Sequence, residues 1–402
     1  QTDVYISVPT TSDSTEERYA RNEQARKSLL GPFSIAIRCT GFDETFSLFK
    51  KETRRRWVSW IATPISFIAF GFLLYIFVSK FQRISDMLSW EWSEMVVLLM
   101  FAINAVGAAH TLMTWTRQLF FLKYYDAWKE AAGTGKSVIP SMSPLSGRLI
   151  VFAVFTIVVM ACGSLSASVK YALHHGNHMY PGVNASSHYR LDEVFAGRPL
   201  ASLWASFVSA LTLVIYVVMH ARTAQLLSDL NQDMFEASLG EKLQPQLELF
   251  ASRHAACIDV VRLLAKSASG FATVCALSGV VTNAASFYLS FSYRGAMPVI
   301  SHMCVLFWTF SGLCVMIAAL MMPARIQAQL NKGIDILVAD KAVWTASMAS
   351  SQLAHSMIHR TRSSSTKVVL FKCIQVTQWS GKGVMSIAPL LGLTFLALKY
   401  SR

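Results

Sequence analysis

Seven times between residues 57 and 400 the chain enters a stretch of 18 to 27 residues almost free of charge: 57–79, 95–121, 149–170, 200–220, 269–292, 298–323 and 383–400. About 20 apolar residues in succession are what a helix needs to cross a hydrocarbon layer ~30 Å thick, and a soluble core rarely asks for that length. Inside lipid every backbone N–H and C=O must find its partner within its own segment, so each stretch is predicted to be a helix. The expected fold class is therefore an all-α membrane protein with seven transmembrane helices. With 53% hydrophobic and 15% charged residues the chain is too apolar for an ordinary soluble enzyme. Its net charge of +13 is accordingly placed against a bilayer, with no nucleic acid among the expected partners.

The basic residues fix the expected orientation. Segments 1–56, 122–148, 221–268 and 324–382 hold 27 of the 36 Lys and Arg, and the alternating segments hold 7. Cytosolic loops carry the excess of Lys and Arg, so the N-terminus is predicted to be cytosolic and the C-terminus extracellular. A seven-helix receptor acting through G proteins has its N-terminus outside, and the charge pattern opposes that. Asn184-Ala185-Ser186 is a glycosylation sequon in a segment predicted to be outside, which makes Asn184 a glycosylation candidate.

Composition divides the chain further. Residues 1–30 are polar and are expected to form a disordered, mobile cytosolic tail. Residues 31–220 carry a short cytosolic segment and transmembrane helices 1–4, and residues 269–323 carry helices 5–6. Between and after them, 221–268 is a cytosolic helical extension and 324–382 holds cytosolic anchor helices and a turn. Leu226, Leu227, Leu230 and Met234 in the first, and Ile326, Leu330, Ile334 and Leu337 in the second, recur at helical spacing among acidic and basic residues. Extending the spans as amphipathic helices would build a packed cytosolic bundle. Residues 383–402 form the seventh helix.

Enzyme chemistry finds no support. There is no Gly-rich phosphate loop, no HExxH and no nucleophile elbow. His174, His175 and His178 lie close together, but no carboxylate or cysteine nearby completes a metal shell. No catalytic residue, no metal and no cofactor is expected.

The closing sequence VVLFKCIQVTQWSGKGVMSIAPLLGLTFLALKY resembles the last segment of the insect gustatory and odorant receptors and their gustatory-receptor-like relatives. Ser380-Gly381-Lys382-Gly383 stands at that family's small-residue turn, and Thr394-Phe395 stands where its Thr-Tyr is usual. The Gln-Phe that follows in the family falls on Ser401-Arg402, which match neither residue. The resemblance implies a ligand-gated, non-selective cation channel of the plasma membrane, a homotetramer with one last helix per subunit lining a central pore. Its partners would be further copies of itself, a small-molecule ligand, monovalent and divalent cations and membrane lipid. Light- or oxidant-sensing relatives are the alternative within the family; a metabotropic receptor or a transporter is the alternative outside it.

Aligning Thr394 with the family's Thr places the hydrophobic gate on Leu398. Leu391, Thr394, Phe395 and Leu398 share one broad helical face, and four copies of Leu398 would make a constriction that closes by dewetting. Lys399 completes the pore and gate set, as a charge that opposes cations if it faces the pore and is harmless if it snorkels to water. A ligand pocket is expected in the outer halves of spans two to six, where polar groups break an apolar lining: Asn104, Ser164, Ser168, Tyr171, Trp204, Ser206, Asn283, Phe287, Tyr288, His302, Phe307 and Trp308. Asn283 and His302 stand out, since a polar side chain within a span is costly unless paired or functional.

Overall fold

The apolar stretches are helices. A computed structural model describes residues 15–31, 33–40, 42, 57–81, 89–133, 147–174, 197–293, 295, 299–371 and 373–400. In chain order these form α1 (Thr15–Leu30), α2 (Phe33–Cys39), α3 (Trp57–Phe81), α4 (Trp90–Arg117), α5 (Phe120–Gly133) and α6 (Gly147–His174). There follow α7 (Gly197–Leu239), α8 (Leu247–Ser292), α9 (Val299–Ala339), α10 (Lys341–Thr345) and α11 (Met348–Arg362). A 3-10 turn at Ser364–Thr366, an antiparallel pair of two-residue strands, β1 (Val369–Leu370) and β2 (Ile374–Gln375), and α12 (Gln378–Tyr400) close the chain.

Among the described residues four helices have segments long and apolar enough to cross a membrane: Trp92–Arg117, Leu200–Leu239, Leu247–Ser292 and Val299–Ala339. Shorter apolar segments, Pro64–Tyr75, Ile150–Gly163 and Ser386–Tyr400, fall on the three remaining predicted stretches. The chain is an all-α, multi-pass membrane protein. At about 1.5 Å per residue, α7, α8 and α9 are each roughly 60–70 Å long, about twice the hydrocarbon thickness. Their excess length leaves the apolar layer and forms a second packed region.

α7 is the central element. Residues 208–220 are buried without a break, so this helix is covered all round and reads as apolar on every side. It packs against α6 and α9, while α8 packs against α4 and α9. Close approach of α8 and α9 depends on two glycines. A Cβ at Gly279 would lie 2.7 Å from Met316 Cβ, and one at Gly312 would lie 2.7 Å from the Asn283 amide nitrogen.

Beyond the apolar layer the extensions are joined by polar contacts. Asn231 donates to the Gln329 carbonyl at 2.8 Å, Arg253 pairs with Asp233 at 2.8 Å, and Ser238 donates to Asp340 at 2.8 Å. His254 meets Thr361 of α11 at 3.0 Å. β1 lies along α8, where the Phe371 N–H that follows it donates to Thr273 at 3.2 Å.

Three expectations are corrected. Residues 15–30, expected to be a mobile tail, are helix α1, because Ala25, Leu29 and Leu30 bury themselves and Asn22 accepts the Leu122 N–H at 3.0 Å from α5. The stretch 95–121 is two helices: α4 ends at Arg117, Leu119 takes a left-handed φ of 51°, and α5 starts at Phe120. Ser380 to Gly383, expected as a turn, are helical and belong to the first turns of α12.

Candidate functional site

The helix that carries the predicted pore residues has two unlike faces. Ala388 and Gly392 are buried, and Lys399 follows seven residues after Gly392 on the same side. That side packs on α8, where a Cβ at Gly392 would lie 2.6 Å from Phe287 Cδ1. Gly383, Leu390 and Ala397, seven apart along the opposite side, are all exposed, Leu390 to 61%. Thr394 borders this exposed row and turns its hydroxyl back to the Leu390 carbonyl at 2.9 Å.

The predicted pore residues therefore separate. Leu391 and Leu398 flank the exposed row, with Leu398 half exposed. Phe395 stands at the margin of the α8 contact, its ring 6.3 Å from that of Tyr288 in an edge arrangement. Lys399 turns away from the exposed row. Its ammonium lies 3.6 Å from the ring centroid of Tyr293 and 5.9 Å from that of Tyr288, and it donates to the Ser292 carbonyl at 3.2 Å. Leu390 and Ala397, at the middle of the free face, are the residues that helical spacing alone does not single out. A wheel gives relative angles, and only the partner helix says which side is free.

The same end of α8 gathers aromatic rings. Trp90 of α4 meets Tyr293 edge-on at 5.5 Å, and its indole N–H donates to Glu94 at 3.2 Å. Tyr288 meets Tyr293 at 6.2 Å. A small core of Val97, Leu289, Cys304, Val305 and Trp308 lies beside them, with Trp90 and Tyr293 packed against it. Of the predicted pocket residues, Tyr288 thus meets Tyr293, Trp308 belongs to the small core on which Tyr293 packs, and Phe287 precedes Tyr288 on α8.

Others stand elsewhere. Asn104 is buried and accepts a hydrogen bond from the Cys275 thiol at 3.5 Å. Asn283 donates to the Gly279 carbonyl one turn earlier on α8 at 2.7 Å, and its amide faces Gly312 of α9. Trp204 donates to Ser66 at 2.7 Å and joins α7 to α3; Ser206 is buried near it in sequence. His302 is half-buried on α9. Phe307 and Trp308 lie 3.5 Å from where a Cβ on Gly163 of α6 would stand. The side chains of Ser164, Ser168 and Tyr171, and the whole of Asn184, lie outside the described residues.

Residues 29–392 match the family described as Caenorhabditis protein of unknown function, DUF267. A comparison with curated proteins gives no match. Among solved structures, that of the insect olfactory receptor OR5 from Machilis hrabei in complex with eugenol superposes with a TM-score of 0.71 at 8% identity. A second structure of the same receptor gives a TM-score of 0.67 at 12% identity. Each likeness covers 94% of this chain and 99% of the receptor chain, so the fold of the insect receptors extends over almost the entire protein.

Proposed function

The chain belongs to the Caenorhabditis DUF267 family and has the fold of an insect olfactory receptor, and from that premise we propose that it is a ligand-gated, non-selective cation channel of the gustatory-receptor type. In this reading four copies assemble in the plasma membrane around a central pore, each contributing α12. The chain carries out no enzymatic step. The stimulus is a small molecule bound within the helix bundle, by analogy with the neighbour described in complex with eugenol.

The observation that carries the reading is the two-sidedness of α12. One face is fastened to α8 through Gly392 and Lys399, while Gly383, Leu390 and Ala397 on the other face are exposed and uncharged. A helix that only anchored the chain would be free to turn a broad leucine face to lipid on any side. Here the charge is drawn inward and the free face combines Leu with Gly, Thr and Ala, which suits close packing around an axis and an apolar constriction that opens by wetting. Leu390 and Leu398 are the proposed gate residues. Below the membrane layer, the extensions of α7, α8 and α9 with α11 are proposed to form the anchor where subunits meet.

The test is expression in cells under voltage clamp with a compound panel, recording reversal potentials in sodium, potassium and choline. Stimulus-evoked currents carried by sodium and potassium alike are expected. Surface protein without any evoked current would sink the reading. Leu390→Ala and Leu398→Ala are expected to raise basal current, and an unaltered closed state in both would move the gate off this face.

A further inference from the structure

The ammonium of Lys399 sits in surroundings that resemble a binding site more than a surface. It lies 3.6 Å from the Tyr293 centroid and donates to the Ser292 carbonyl at 3.2 Å, with Tyr288, itself 3% exposed, 5.9 Å away. Behind Tyr293 stands Trp90, which holds the buried Glu94 carboxylate at 3.2 Å. Aromatic faces attract cations through the ring quadrupole, and aromatic cages are how proteins hold organic ammonium ions. The end of α8 supplies the rings and the carbonyl that meet the ammonium, and α4 braces Tyr293 from behind through Trp90.

We propose that this cluster is a binding site for an organic ammonium ion, a protonated primary amine or a quaternary ammonium, and that Lys399 is its built-in occupant. A tethered ammonium competes with any free one at an effective concentration of millimolar order. A free amine that displaces it takes over Tyr293 and frees the last turn of α12 from Ser292. Under the channel reading on which this consequence rests, displacement loosens the outer end of the pore helix and favours opening. The occupancy itself stands independently of that reading.

The experiment uses the full chain, purified in detergent, titrated with tetramethylammonium chloride and followed by thermal unfolding. Sodium chloride at equal ionic strength and neopentyl alcohol, a neutral molecule of similar size, are the controls. Lys399→Met is expected to show saturable stabilisation by tetramethylammonium at a concentration at least about tenfold lower than the wild type needs, because the tethered competitor is gone. Lys399→Gln serves the same purpose if the Met variant does not fold. Adding Tyr293→Leu to either is expected to abolish the effect, and adding Tyr293→Phe to keep it.

An equal response to neopentyl alcohol, an affinity no higher in the Lys399 variants, or an effect that survives Tyr293→Leu would overturn the site. Current recording separates the two readings. Ammonium binding without current in any variant leaves the site standing and removes the channel, whereas currents evoked by neutral compounds with no ammonium binding do the reverse.

Discussion

Phe287 on α8 lies so close to Gly392 on α12 that a Cβ at position 392 would stand 2.6 Å from its ring. The ring has little room to yield, since Phe291 packs on it with centroids 4.4 Å apart. Gly392→Ala is therefore expected to overpack this contact at a cost of about 1–3 kcal/mol. The measurement is the thermal midpoint of the purified protein, and Phe287→Leu in the same chain is expected to recover part of the loss. A fully unaffected midpoint in Gly392→Ala would mean that α12 is not held here.

Most of the fold was legible because a bilayer imposes a length on apolar sequence that a soluble core does not. What stayed hidden depends on partners. The composition of α1 gives no sign that it folds, since Ala25, Leu29 and Leu30 are too few to bury alone and need the surrounding helices as their surface. Leu119 breaks an apolar stretch without a Gly or Pro to mark it. At the candidate site the identity of the last helix was readable and its orientation was not: Leu391, Thr394, Phe395 and Leu398 were grouped by spacing, but contact with α8 puts Leu390 and Ala397 at the centre of the free face. The direction of Lys399 depends on Tyr293 and Ser292, more than a hundred residues earlier in the chain.

Ser66 joins three elements, accepting the Trp204 indole N–H at 2.7 Å and donating to the Thr40 carbonyl at 3.3 Å. It is fully buried. Ser66→Ala leaves the indole N–H without this acceptor, which is expected to destabilise the fold by about 1–3 kcal/mol. A double-mutant cycle with Trp204→Phe gives the check. If the bond matters, the double variant loses little more than Ser66→Ala alone; strictly additive losses would show that the two side chains act separately.

Two glycines on α8 and α9 should respond in opposite ways to the same substitution. A Cβ at Gly312 would meet the Asn283 amide at 2.7 Å and dislodge it from the Gly279 carbonyl, whereas nothing among the described residues lies within 4 Å of a Cβ at Gly270. Gly312→Ala is expected to lower the unfolding midpoint. Gly270→Ala is expected to leave it level or raise it, since Ala is favoured over Gly in a helix interior by roughly 0.5–1 kcal/mol. Equal effects at the two positions would contradict the α8–α9 packing described above.

His254 lies on the part of α8 that precedes the apolar stretch 269–292, and burial pushes its imidazole down to about 4, with the positive charges of Arg360 and Arg262 acting in the same direction. Nε2 is engaged by Thr361 at 3.0 Å, and Nδ1 has no hydrogen-bond partner among the described residues. The unfolded chain, where the ordinary value is 6.5, takes up a proton well before the folded chain does. The contribution of His254 to stability is therefore level above about pH 6.5, falls as pH drops from there towards 4, and levels again below the folded value. The full effect is on the order of 3 kcal/mol. His254→Gln removes this titration, so its unfolding midpoint should fall less steeply than that of the wild type between pH 6.5 and 4. Parallel profiles for the two proteins across that window would show that His254 is already exposed to protons in the folded state.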